Sequence, residues 1–222
     1  MNLPQLADVI PGKLSHGTDP MTSIAGFSAA LVLIGTATIA VAEPMSSAYT
    51  STADKDCRKI FSSKVGDDEL GSEHVCRGPA GYKIVKSEHD LRETLSVGRT
   101  AAIANDQPAA SQGFGPFNST SSTIDWRVRA GKPFATIQRW HIADNKDPDK
   151  SGRPNSKQLL VVTRLPPGQV CHVAYIDVQA NPAANDIARK AADAIARGFD
   201  CRTDKVQVAG ASGRAIELAL PR

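Results

Sequence analysis

The clearest pattern along the chain is alternation. In Ile124-Asp125-Trp126-Arg127-Val128-Arg129 apolar and charged residues change places with a period of two, which predicts a strand with one buried side and one wet or paired side. Gly131-Lys132-Pro133 reads as a turn, and 134–142 as the second strand of that hairpin. The nearly continuous apolar run at 159–165 predicts a central strand. Pro166-Pro167-Gly168 ends it, and 170–178 follows as a further strand. Upstream, Gly78-Pro79-Ala80-Gly81 is a turn, and 82–86 with 91–97 predict another hairpin around 87–90. A short strand at 206–208 precedes a tail expected to fray.

Helical spacing occurs twice. Ala184, Ile187, Ala188, Ala191 and Ile195 form one stripe, with Asn181 as cap, Pro182 at the first helical position and Gly198 as terminator. The stripe is mostly alanine, so this helix is expected to approach its sheet closely. In 52–61, Thr52 can cap, Asp54 and Asp56 suit the positive end, and Cys57, Ile60 and Phe61 share a face. The polar segment 43–51 reads as a flexible leader. The stretches 99–122 and 143–156, rich in Ser, Gly, Pro, Asn and Asp, read as mobile loops. The fold class predicted is α+β: an antiparallel sheet of about six strands with two flanking helices, stabilised by disulfides.

The N-terminal stretch bears on localisation. No residue from Ile24 to Ala42 is charged, Ala29-Ala30-Leu31-Val32-Leu33-Ile34 is strongly apolar, and Ala40-Val41-Ala42 fits the small-x-small pattern of signal-peptidase cleavage. Residues 1–42 are therefore read as a signal peptide, with Met21 as a possible true start, and 43–222 as a single periplasmic or secreted domain. All four cysteines, Cys57, Cys76, Cys171 and Cys201, lie in that domain. An even count in an exported chain predicts two disulfides. Of the three pairings, Cys57–Cys76 and Cys171–Cys201 are favoured because each pair is close in sequence and brackets a coherent unit. No two cysteines have the short spacing of paired zinc ligands.

Length and composition change this picture little. A chain of 222 residues with 41% hydrophobic and 22% charged residues is an ordinary globular protein. A net charge of +3 does not mark a nucleic-acid binder, and no basic helix is present. No phosphate cradle exists, since Gly78 to Gly81 precedes no helix, and no cofactor is expected.

Catalytic patterns are also missing: the chain has no G-x-S-x-G and no H-E-x-x-H. His141 and His172 are expected on strands, and a hydrolase would have to pair one of them with Asp90 or Asp125. Asp90, Arg92, Asp125, Arg127 and Arg139 could converge into a polar, anion-binding surface if neighbouring strands align them; a ladder of ion pairs is the plainer outcome. Trp126 and Trp140 read as core. Phe114 and Phe117, in the loop Gly113-Phe114-Gly115-Pro116-Phe117, are expected at the surface, where they could anchor a partner.

Cys76 with Gly78, Gly81 and Tyr82, Asp90-Leu91-Arg92, Asp125-Trp126-Arg127, Arg139-Trp140 and Asn185-Asp186-Ile187-Ala188-Arg189 form a set. On that set the chain resembles a group of exported alpha-proteobacterial proteins, a likeness that brings no activity with it. It is also similar to small periplasmic lysozyme inhibitors, disulfide-bonded and sheet-rich modules that block an enzyme cleft with a Ser-Gly-containing loop. Here Ser151-Gly152 and Ser212-Gly213 are the Ser-Gly pairs, and the rest of that motif departs. Together these readings imply a non-catalytic binding or interaction module of the cell envelope, with an envelope protein or an anionic glycan as partner. They imply no nucleic acid and no stable membrane anchor after cleavage.

Overall fold

A computed structural model describes residues 43–62 and 71–220. The predicted leader, 1–42, lies outside the described residues. Ten strands and three small helices follow one another: β1 Met45–Ser51, β2 Cys57–Ser62, β3 Gly71–Arg77, β4 Lys83–His89, β5 Arg92–Gly98, α1 Ala101–Asn105, β6 Asn118–Arg129, β7 Lys132–Pro148, β8 Pro154–Arg164, β9 His172–Asp177, α2 Ala184–Ile195, β10 Gln207–Val208 and α3 Arg214–Ala219.

The strands join in the order β10-β9-β8-β7-β6-β5-β4-β3-β2, with β1 added to β6. The β5–β6 and β9–β10 pairs are parallel and the others antiparallel. This corrects the predicted fold class. The described residues form one large mixed sheet of ten strands with three small helices, not a six-stranded antiparallel sheet with two flanking helices.

The extra strands come from segments without a strand-like apolar alternation. β1 lies in 43–51, the segment expected to be flexible, and pairs with β6 from Met45↔Arg129 to Ser51↔Thr123. The expected helix at 52–61 is a single 3-10 turn at Asp54–Asp56 followed by β2. Pairing of β2 with β3, closed by Cys57–Cys76, outweighs a weak helical stripe whose Ile60 and Phe61 stay exposed. The stretch 99–122 holds α1, a 3-10 turn at Pro108–Ser111 and the first residues of β6. The stretch 143–156 holds the outer ends of β7 and β8. Both therefore hold strand or helix in part where loops were expected, and 112–117 and 149–153 remain irregular.

Two turns show local chemistry at work. Asp90 and Leu91 both take positive φ between β4 and β5, as do Ala130 and Gly131 between β6 and β7. Such two-residue turns match the twist of hairpin strands. At α2 the alanine stripe lies as predicted, with Ala184, Ala188, Ala191 and Ala192 buried. Asn181 does not cap it; its amide bonds Asp177 and Ala211 instead.

The sheet has two packed faces. On one, α2 lies against Ile137, Leu160, Val162, Ala174 and Ile176. On the other, Ile124, Trp126, Trp140, Leu159, Val161 and Tyr175 share a core with Cys76, Ile84, Leu95 and Val97 from β3 to β5. The β5–β6 seam is a single bridge, Arg92↔Asn118, so the hairpin end can fold over the rest. The Trp126 ring reaches across to Tyr82, 6.1 Å between centroids. A Cβ on Gly78 would stand 2.7 Å from the Trp126 ring, so this turn requires glycine for space.

Both predicted disulfides form. Cys57–Cys76 joins β2 to β3, and Cys171–Cys201 ties the start of β9 to the segment after α2. Each closed loop contributes roughly 3 kcal/mol in the chain-entropy account.

Candidate functional site

The five residues proposed for one polar surface fall into two places. Asp90 and Arg92 sit at the β4–β5 turn and pair with each other. Arg92 also donates to the Gly115 carbonyl and lies 4.8 Å over the Phe117 ring. Asp125, Arg127 and Arg139 lie on the sheet face that α2 covers. Because β5 meets β6 only at Asn118, the strand runs roughly 20 Å further before it reaches Asp125.

Under α2 the charges are largely satisfied internally. Arg127 forks onto Asp193 at 2.9 and 2.7 Å and donates to Ser47. Arg189 donates to Asp125 and Asp186 and to the Tyr49 hydroxyl. Arg139 donates to the amide oxygens of Gln158 and Asn185. Asp125, Arg127, Arg139, Asn185, Arg189 and Asp193 thus meet as a network that seats the helix. A bidentate, mostly buried pair such as Arg127–Asp193 positions elements more than it offers a binding surface.

Phe114 and Phe117 separate as well. Phe117 is 43% exposed, but Phe114 is buried, edge-on to Trp140 and Tyr175. This corrects the expectation that both phenylalanines lie at the surface: edge-to-face packing in a ring cluster holds Phe114 in the core.

The histidines offer little chemistry. His172 is fully buried and its Nδ1 meets the Tyr175 hydroxyl; burial pushes its pKa down to about 3 and pushes the Tyr175 phenol up. His141 lies 2.9 Å from Ser121 Oγ, and burial, with the Arg139 charge, holds its pKa below the usual value. That is a nucleophile–base distance. Among the described residues, however, no carboxylate bonds His141, and Asp90 and Asp125 are engaged by Arg92 and Arg189. The described residues also contain no group of three or more His, Cys, Asp or Glu placed to hold a metal ion.

A different cleft concentrates unbalanced charge. Its volume is about 350 Å3, and it opens where four element ends meet. Arg99 follows β5, Lys132 begins β7, Arg164 ends β8 and Arg197 follows α2. Its walls are Tyr82, Pro133, Phe134, Leu165, Pro166 and Pro167. None of the four cations has a carboxylate within salt-bridge distance among the described residues.

Arg164 is the deepest of the four, 9% exposed. Its Nη1 donates to the Phe199 carbonyl and its Nη2 to the Pro167 carbonyl, both at 2.5 Å. Its Nε is buried without a partner. Asp200, beside the cleft, feels the Arg164 charge, but its hydrogen bonds are with Arg202 and Asp204. A buried guanidinium held only by neutral carbonyls leaves most of its charge uncompensated, which favours an anion nearby. Arg99 lies 4.1 Å over the Tyr82 ring and Arg197 5.7 Å over that of Phe134, so both planes are oriented in advance.

Nothing in the spacing of residues 99, 132, 164 and 197 announces this cleft. The one local sign is that Lys132, Arg164 and Arg197 each border a Gly- or Pro-containing turn. Comparison of the chain with family models, curated proteins and solved structures found no match.

Proposed function

We propose that this chain is an exported, non-catalytic binding module of the cell envelope, and that its ligand is an anion held in the Arg164 cleft. The observation that carries the reading is Arg164 itself, buried and without a carboxylate partner at the floor of a cleft whose other charges are also positive. Export is supported by the two disulfides, which belong to an oxidising compartment, and by the leader pattern at 24–42. No helix among the described residues is long and apolar enough to cross a membrane. The likeness to exported alpha-proteobacterial proteins points the same way.

Thermal unfolding of the purified protein tests this. A panel of carboxylates, sulfate, phosphate and uronate oligomers is compared with neutral analogues at low ionic strength. A ligand that binds only the folded state stabilises it, by about 2.7 kcal/mol at one hundred times Kd. At least one anion is expected to raise Tm, and Lys132→Gln with Arg197→Gln to diminish the rise. If no anion shifts Tm beyond its neutral analogue, the reading fails.

A further inference from the structure

Within that reading, and resting on it, we propose that the Arg164 cleft selects a small organic carboxylate with an apolar body, such as an aryl-substituted acid, over inorganic anions and acidic sugars. Two features of the lining argue for this. The first is what the walls offer between the charges. Tyr82, Pro133, Phe134, Leu165, Pro166 and Pro167 present apolar surface, which a hydrated sulfate or phosphate would leave wet.

The second is what the lining lacks. No Asp, Glu, Asn, Gln, Ser or Thr is among its residues. An acidic sugar carries several hydroxyl protons that need acceptors; the lining cations can only donate, and the Tyr82 phenol is the one side chain there that can accept, so burying those hydroxyls is costly. An aryl acid has no such groups to satisfy. Its carboxylate matches the planar donor fork of a guanidinium, and its body covers the walls. The volume, about 350 Å3, falls at the small end of organic-ligand sites, roughly 300–1,000 Å3. Arg99, Lys132 and Arg197 are exposed and surround the entrance, where they attract the anion; Arg164 holds it at depth.

Isothermal titration of the purified protein with 4-phenylbutyrate, acetate, sodium sulfate and trigalacturonate tests the assignment. Phenylbutyrate is expected to bind at least ten-fold tighter than the other three, with a negative heat-capacity change from apolar burial. Arg164→Gln is expected to weaken it ten-fold or more. Should that variant not fold, Arg197→Gln and Lys132→Gln, both at exposed positions, are each expected to weaken it two- to ten-fold. Tighter binding of sulfate or trigalacturonate overturns this inference while the anion-binding reading stands. Phenylbutyrate binding that neither exposed substitution changes places the ligand elsewhere and also overturns it. No binding by any of the four overturns both.

Discussion

At the scale of the residue, burial decides more than residue type. His172 is an ordinary strand histidine by sequence, yet full burial keeps it neutral down to a pH of about 3. The unfolded chain takes up that proton near pH 6.5. Between those values the unfolded state binds more protons, so stability is complete above the upper one and is lost as pH falls toward the lower. The loss is at most ~1.4 kcal/mol per pH unit. Urea unfolding at pH 7 and pH 4 should show a smaller drop in His172→Phe than in the parent protein. Equal drops would place the acid sensitivity elsewhere. The cations tell the same lesson in reverse: Arg127 and Arg164 are both buried, but one meets a carboxylate and the other only carbonyls.

At the scale of the element, short helices depend on polar anchors. α3 spans Arg214–Ala219 and buries only Ala215 and Ile216. Arg214 forks onto the buried Asp144 at 2.7 and 2.8 Å, and Asp177 accepts from the Ala215 amide. The Arg214 guanidinium holds the Asp144 carboxyl down at about 2, so this anchor survives mild acid. Asp144→Asn should cost about 1.5–3 kcal/mol, the range for hydrogen bonds to charged groups. Hydrogen exchange should locate the loss, with faster exchange of the α3 amides; unchanged exchange there would show that α3 is held by packing alone.

Strand extent follows a related rule. The outer ends of β7 and β8 carry Asp, Asn, Lys and Pro, yet pair from Ile142↔Lys157 through Asp144↔Asn155 because each strand supplies the other's backbone partners. The Ser151-Gly152 pair lies at the tip of that hairpin, between Asp149 and Arg153.

At the scale of the molecule, the two disulfides act on different regions. Cys57–Cys76 fastens an edge hairpin. Cys171–Cys201 holds the segment whose Phe199 carbonyl orients Arg164, and the Arg164 amide donates to the Cys171 carbonyl. Replacing Cys171 and Cys201 by serine should cost about 2–5 kcal/mol by urea unfolding. It should also weaken anion binding, whereas the Cys57/Cys76 pair of substitutions should leave binding intact in the folded protein. Intact mass measurement of the native protein tests export directly: a chain beginning at Glu43 with no free thiol is expected, and a retained leader with four thiols would contradict it.

The sequence by itself determined the elements whose burial is written locally. The hairpin of β6 and β7, β8, β9 and the alanine face of α2 were readable because a periodic stripe, or in β8 and β9 a largely apolar run buried on both faces, marks what each one buries. The pairing of the cysteines was readable because each bridge spans a short stretch of chain. Tertiary structure alone decided the rest. β1, β2 and the ends of β6 to β8 exist because a neighbouring strand completes their backbone hydrogen bonds, and an apolar pattern does not record a neighbour. Phe114 is buried because Trp140 and Tyr175, on strands distant in sequence, pack edge-on against its ring, which its own loop does not record. The cation cleft is the furthest from view: Arg99, Lys132, Arg164 and Arg197 are scattered along the chain, and only the convergence of four element ends brings like charges together without an acid between them.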